Sequence, residues 1–198
     1  MRQGLLILFI LTTSISFGQN DFNAVTVADS IKKSGVDTFF IYHSYCRGCS
    51  RGATIERNTG KIVDCVGEEH LFVFYLTKGQ KYIKKSTTCN RYKSLHIDTA
   101  EVFSFFIKNF DQMQKEKIFD NATLSDKGDT LYMYMDDTGL TSMYLSLGKK
   151  TKDITIDWYQ LRDDNDLKEK NINYDRNNKT KIIRLTELAW TKAEGLVC

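Results

Sequence analysis

Proline is absent from this chain of 198 residues, and with it go proline-rich linkers and any turn that needs a cis-prolyl bond. A surplus of one charge is missing too: 28 Lys and Arg stand against 25 Asp and Glu, scattered along the chain. That balance gives no electrostatic basis for binding nucleic acid or an anionic membrane. No internal repeat or low-complexity tract divides the sequence. Neither a His-Glu-x-x-His helix nor a Gly-x-Ser-x-Gly elbow is present, so zinc-peptidase and serine-hydrolase chemistry lack their usual residues. The three histidines, His43, His70 and His96, lie far apart in the sequence and read as exposed loop or strand-end residues.

The first hydrophobic run, Leu5 to Leu11, follows the basic Arg2 and precedes the small residues Ser16 and Gly18. This is the pattern of a secretory signal peptide over 1–18, with cleavage expected before Gln19. The run is far short of the ~20 residues of a bilayer span, and no later stretch is long enough, so no membrane span is expected after cleavage. About 180 residues then remain, 19–198, enough for one domain with a real core. The expected location is secreted or periplasmic. There the five cysteines, Cys46, Cys49, Cys65, Cys89 and Cys198, meet an oxidising environment in which disulfides persist.

Hydrophobic periodicity outlines the fold. Ala24, Val27, Ala28 and Ile31 recur at helical spacing before Gly35, predicting a helix over 23–34, followed by a strand from Asp37 to His43. TIERNTGKIVDC reads as a hairpin around Asn58-Thr59-Gly60. LFVFYLT is apolar on both faces, as an interior strand is, and turns at Lys78-Gly79 into KYIKKST, whose lysines suit an edge. Asp98 and Glu101 form a capping box for a helix over about 99–117. Its stripe of Val102, Phe103, Phe106, Phe110 and Met113 faces the core, opposite Glu101, Ser104, Lys108, Asp111 and Lys115.

TLYMYMDDTGLTSMYLSLG is expected to be a hairpin with a three-residue loop, Asp137-Thr138-Gly139, which opposes Leu131 to Leu145 and Met133 to Met143. Ile154, Ile156 and Trp158 add a third strand. RDDNDLKEKN reads as a solvated loop, KIIRL as a last strand, and TELAWTKAE as a short helix ended by Gly195. The expectation is an α+β domain: a mostly antiparallel sheet of hairpins carrying one long amphipathic helix, with short N- and C-terminal helices.

The stretch HSYCRGCSRG, with FFIYHSYCRGC running into it, resembles the strand and active-site turn of the thioredoxin family. That resemblance would imply a thiol-disulfide oxidoreductase using Cys46 and Cys49. It covers about a dozen residues and departs from the family at Gly52, where hairpin-like sequence replaces the expected helix, and in the missing cis-proline. A zinc site of Cys46, Cys49, Cys65 and Cys89 has only one close-spaced pair where structural zinc sites usually have two. A c-type haem needs histidine where Ser50 stands. The reading with fewest assumptions makes Cys46, Cys49, Cys65 and Cys89 structural disulfide partners, their connectivity open. A Cys65–Cys89 bridge would close a loop of 25 residues, worth roughly 3 kcal/mol in the chain-entropy model. Cys198 is left as the odd thiol and could join two copies.

Two weaker patterns remain. Asp175, Asn177 and Lys179 in DRNNKT distantly resemble a calcium loop without its turn glycine or final glutamate, and Asn121-Ala122-Thr123 matches a glycosylation acceptor. No catalytic, metal or cofactor site is expected. The favoured function is a disulfide-stabilised, non-catalytic domain that binds a protein or small ligand, with the thiol-disulfide enzyme as the alternative.

Overall fold

The computed structural model describes residues 23–46, 52–55, 62–66, 69–87, 94–96, 100–136 and 138–194, with Cys46, 52–55, 62–66 and Glu194 described by backbone alone. The signal peptide, the Asn58-Thr59-Gly60 turn, Asp98, Gly195 and Cys49, Cys89 and Cys198 lie outside those residues.

In chain order the elements are α1 (Ala24–Lys33), β1 (Thr38–Cys46), β2 (Gly52–Ile55), β3 (Ile62–Val66), β4 (His70–Thr77), β5 (Gln80–Thr87), β6 (Leu95–His96), α2 (Ala100–Lys115), β7 (Asn121–Leu124), β8 (Thr130–Met133), β9 (Gly139–Leu147), β10 (Lys150–Asp157), a 3-10 turn (Trp158–Leu161), α3 (Tyr174–Asn178) and α4 (Lys181–Glu194). Six strands form one antiparallel sheet in the order β10-β9-β1-β4-β5-β6. Two separate hairpins, β2–β3 and β7–β8, complete an α+β architecture.

The sheet is covered on both faces because its central strands are apolar on both. On one face Phe40, Tyr42, Phe72, Phe74, Met143 and Leu145 pack against α2 and α4. Phe40 stacks on Phe74 at 4.4 Å and meets Phe106 at 5.2 Å. The predicted stripe of α2 is the buried one, and the five residues expected opposite it are exposed. On the other face α1 lays Ala24, Val27, Ala28 and Ile31 over Phe39, Ile41, Leu71 and Val73.

Local chemistry explains the ends of these elements. Asn23 Oδ1 accepts from Thr26 N at 2.8 Å to cap α1. At the other end Gly35 takes φ 83° while Gly35 N and Val36 N donate back to Lys32 O and Ile31 O, the paired bonds of a Schellman stop. Lys78 and Gly79 both have positive φ, as a two-residue type I′ turn requires.

Four expectations are corrected. KIIRL is the first turn and a half of α4, not a strand. Its isoleucines bias a local reading toward β, yet Ile182, Leu185, Ala189 and Ala193 continue one buried helical stripe. Thr180 Oγ1 accepts from Ile183 N, and Glu116 at the end of α2 accepts from the N–H groups of Lys181 and Ile182, each at 3.0 Å. The C-terminal helix therefore begins at Lys181 and runs for 14 residues.

The 130–147 hairpin does not form. β8 pairs with β7, setting Leu131 opposite Thr123 and Met133 opposite Asn121, while β9 lies between β1 and β10. The chain is fastened at the junction: Thr138 Oγ1 donates to Asp157 Oδ1 at 2.7 Å, and Trp158 Nε1 donates to Thr141 Oγ1 at 2.9 Å. Trp158 belongs to the 3-10 turn instead of the strand, and its ring lies over Gly139, where a Cβ would meet it at the ordinary contact distance of 3.5 Å. The lysine-rich β5 is next to the edge, since β6 pairs outside it at Tyr82 and Ile83.

Candidate functional site

The cysteine region is visible only through its strands. β1 ends at Cys46, whose backbone lies opposite Gly139, and Cys65 lies in β3 opposite Ala53. The segment beginning at Gly52 is β-strand, where the thioredoxin-like arrangement needs a helix. Ser44, His70 and Thr87 lie in register across β1, β4 and β5. The end of β5 at Thr87 is thus level with the start of β4 at His70.

The histidine reading is corrected at His43, which is buried near the end of β1. Its Nε2 lies 3.2 Å from Glu69 Oε2, both side chains being only 6% exposed. Tyr45 lies against the imidazole at 4.8 Å, and Ser142 is its register partner on β9. With the N-terminal residues of α1 they line a depression of about 380 Å³. A His–Glu pair can orient and polarise an imidazole, but its tight burial also fits a polar pair sealing this end of the sheet. His70 is half-buried, and His96 is exposed on β6 with its Nε2 2.7 Å from Gln80 Oε1.

A second surface is built by the β7–β8 hairpin, which hydrogen-bonds to no strand of the main sheet among the described residues. Asparagines hold it in place. Asn177 accepts from Phe119 N at 2.9 Å and donates to Phe119 O and Gln160 O at 2.8 and 2.9 Å. Asn171 accepts from Ala122 N and donates to Gln160 O and Arg162 O. Asn121 donates to Tyr159 O, and Asn173 donates to Asp120 O. Amides suit this work because each carries both donors and an acceptor. Asn121 is 1% exposed, so the glycosylation match is an interior residue. Asn177, part of the calcium-like pattern, is a backbone clamp. Among the described residues no group of three or more His, Cys, Asp or Glu side chains could hold a metal ion.

The loop read as solvated is also organised. Its charges stay at or near the surface, with Arg162 pairing to Asp164 and Asp166. Asn165, however, is fully buried, its Oδ1 accepting from the N–H groups of Leu167 and Glu169.

This scaffold presents large apolar side chains to water. Leu124, Leu131, Tyr132 and Tyr134 on or just beyond the hairpin are exposed, Tyr134 by 74%, and Ile172 beside them by 47%. Tyr132, Tyr134, Ile118, Phe119 and Ile172 line a depression of about 470 Å³ with Lys117 and Asp120 at its polar margin. Tyr134 donates its hydroxyl to Asp120 Oδ2 at 3.3 Å, and repulsion from that carboxylate pushes the phenol pKa up. The arrangement offers apolar contact and aromatic faces, the chemistry of binding. Its sequence signal is Ser125-Asp126-Lys127-Gly128-Asp129, a turn composition between two short β-prone segments.

No family model, curated protein or solved structure matches the chain.

Proposed function

We propose that the chain is a non-catalytic binding domain of an exported, disulfide-stabilised protein, and that it holds its partner on the β7–β8 hairpin. One observation carries this reading: Tyr132 and Tyr134, alternate residues on one face of the hairpin, are exposed together in a depression they share with Ile172. Single exposed apolar residues are ordinary, whereas a contiguous group rimmed by polar side chains marks an interaction surface. The asparagine clamps add to the case, since they keep the hairpin rigid and reduce the ordering cost of binding.

The test is selection of a random peptide display library on the immobilised protein. The selected binders should be lost on the Tyr132→Ser/Tyr134→Ser variant, shown to be folded by its circular dichroism, and retained on Lys108→Ala. Binders that persist on the tyrosine variant, or a selection that enriches none, overturn the reading.

The cysteines have a structural role in the same proposal. Cys46, Cys49, Cys65 and Cys89 are expected to be oxidised in protein isolated without reductant, with Cys198 free or linking two copies. Alkylation before and after reduction, read by mass spectrometry, measures this. Four free thiols with one bound zinc would contradict it.

A further inference from the structure

We infer that the β8 edge of this hairpin receives an extended peptide as an added antiparallel strand, and that the preferred peptide is apolar with basic residues at both ends. This rests on the reading of the hairpin as the interaction surface and goes further by naming the mode and the partner chemistry.

Backbone geometry identifies the edge. Ala122 sends its carbonyl to Ile172 N at 2.9 Å and its N–H to Asn171 Oδ1 at 3.3 Å, both away from β8. Ala122 opposite Tyr132 is therefore a non-hydrogen-bonded pair of the antiparallel ladder. By alternation the N–H and C=O of Tyr132 and Thr130 point outward, on the side where no described strand pairs with β8. The other edge of β7 is already occupied by Asn171 and Ile172.

Natural edge strands are blunted by lysines, prolines, bulges or cover. Here β10, at one boundary of the main sheet, carries Lys150 and Lys152, and β5 is lysine-rich and partly covered by β6. The run from Thr130 to Met135 has no charge, no proline and strong β propensity. An unprotected edge beside a main sheet whose outer strands β10 and β5 carry lysines is the arrangement of a strand-accepting surface.

Charge selects the occupant. Between Asp126 and Asp136 stand three carboxylates, Asp126, Asp129 and Asp136, against Lys127 alone, and all four residues are exposed. The acids lie beyond both ends of an uncharged centre. In a two-fold antiparallel pairing with a second copy, the Asp129 end of one strand would lie beside the Asp136 end of the other, like charge against like. A peptide with Lys or Arg at each end and β-branched or aromatic residues between them meets opposite charge at both. Its alternate side chains would extend the face formed by Tyr132 and Tyr134.

The probe is the synthetic peptide acetyl-Lys-Lys-Val-Thr-Val-Tyr-Val-Lys-Lys-amide, titrated into isotopically labelled protein and followed by amide chemical shifts. Shifts are expected at Thr130, Tyr132 and their neighbours. N-methylation of alternate central amides should weaken binding by about tenfold or more, because it removes ladder donors while keeping the side chains. A counterpart with Glu in place of Lys should weaken it similarly. Thr130→Pro removes an outward N–H without breaking a β7–β8 bond and should lose the probe. No shifts up to millimolar peptide, equal binding of the N-methylated peptide, or a dimer in sedimentation that Thr130→Pro dissolves would each overturn the inference. If displayed peptides still select the tyrosine surface while this probe fails, the interaction surface stands and strand addition falls.

Discussion

Replacing Phe106 by alanine should lower the unfolding free energy by about 3–5 kcal/mol, the cost of emptying a well-packed aromatic site. Phe106 is fully buried, lies 5.2 Å from Phe40 and meets Phe110 edge-on at 5.5 Å. It stands where α2 meets the central strand of the sheet, so neighbouring helix and strand atoms cannot all move into the void. In a domain of this size the thermal midpoint should fall on the order of 10 °C. Lys108→Ala, two residues on and facing water, should stay within about 0.5 kcal/mol of the parent. Denaturant unfolding of both variants measures the difference, and equal costs would mean that the wrong face of α2 had been taken as buried.

The second large effect is expected at Asn177. Asn177→Ala removes two donated bonds and one accepted bond that hold Phe119 and Gln160. Gln160 O keeps the Asn171 amide as a partner, but both Phe119 backbone groups lose theirs. Leaving such groups unpaired should cost about 2–4 kcal/mol in total. Asn177→Asp should be no milder despite its matching shape, since it keeps only the acceptor and sets a carboxylate against two carbonyl oxygens. Asn178→Ala, the exposed neighbour, should cost far less, about 1 kcal/mol or below. Hydrogen exchange should localise the damage, with the amides of β7 and β8 exchanging faster than those of β1 and β4. Uniform acceleration across the main sheet would show that Asn177 supports the whole domain rather than the hairpin.

The difference between these two residues shows how much of the molecule local sequence could reveal. Phe106 was legible because the stripe Val102-Phe103-Phe106-Phe110-Met113 repeats at helical spacing, and a helix with one apolar face must bury it. The Lys78-Gly79 turn and the stop at Gly35 were legible for a similar reason. Each needs a backbone conformation that few residues tolerate, and the required residue stands at the required place. Asn177 carried no such mark. An asparagine in DRNNKT has the composition of a surface turn, and only the approach of Phe119 and Gln160, distant in sequence, makes it a clamp.

The candidate site divides in the same way. TLYMYM announced a β-strand, but alternation assigns side chains to faces without naming the neighbouring strand. The partner was settled by long-range fastening at Thr138, Thr141 and Trp158, which sends the chain into the main sheet and, among the described residues, leaves β8 paired with β7 alone. His43 likewise reads as a lone polar residue until Glu69 is folded against it. By itself, then, the sequence determined the α+β class, the two-sided sheet interior and the inward face of α2, because these follow from periodicity and turn chemistry within short windows. Tertiary structure alone decided which strand β8 pairs with, which asparagines are buried and where α4 begins, because each depends on contacts between segments tens of residues apart whose energies no local window contains.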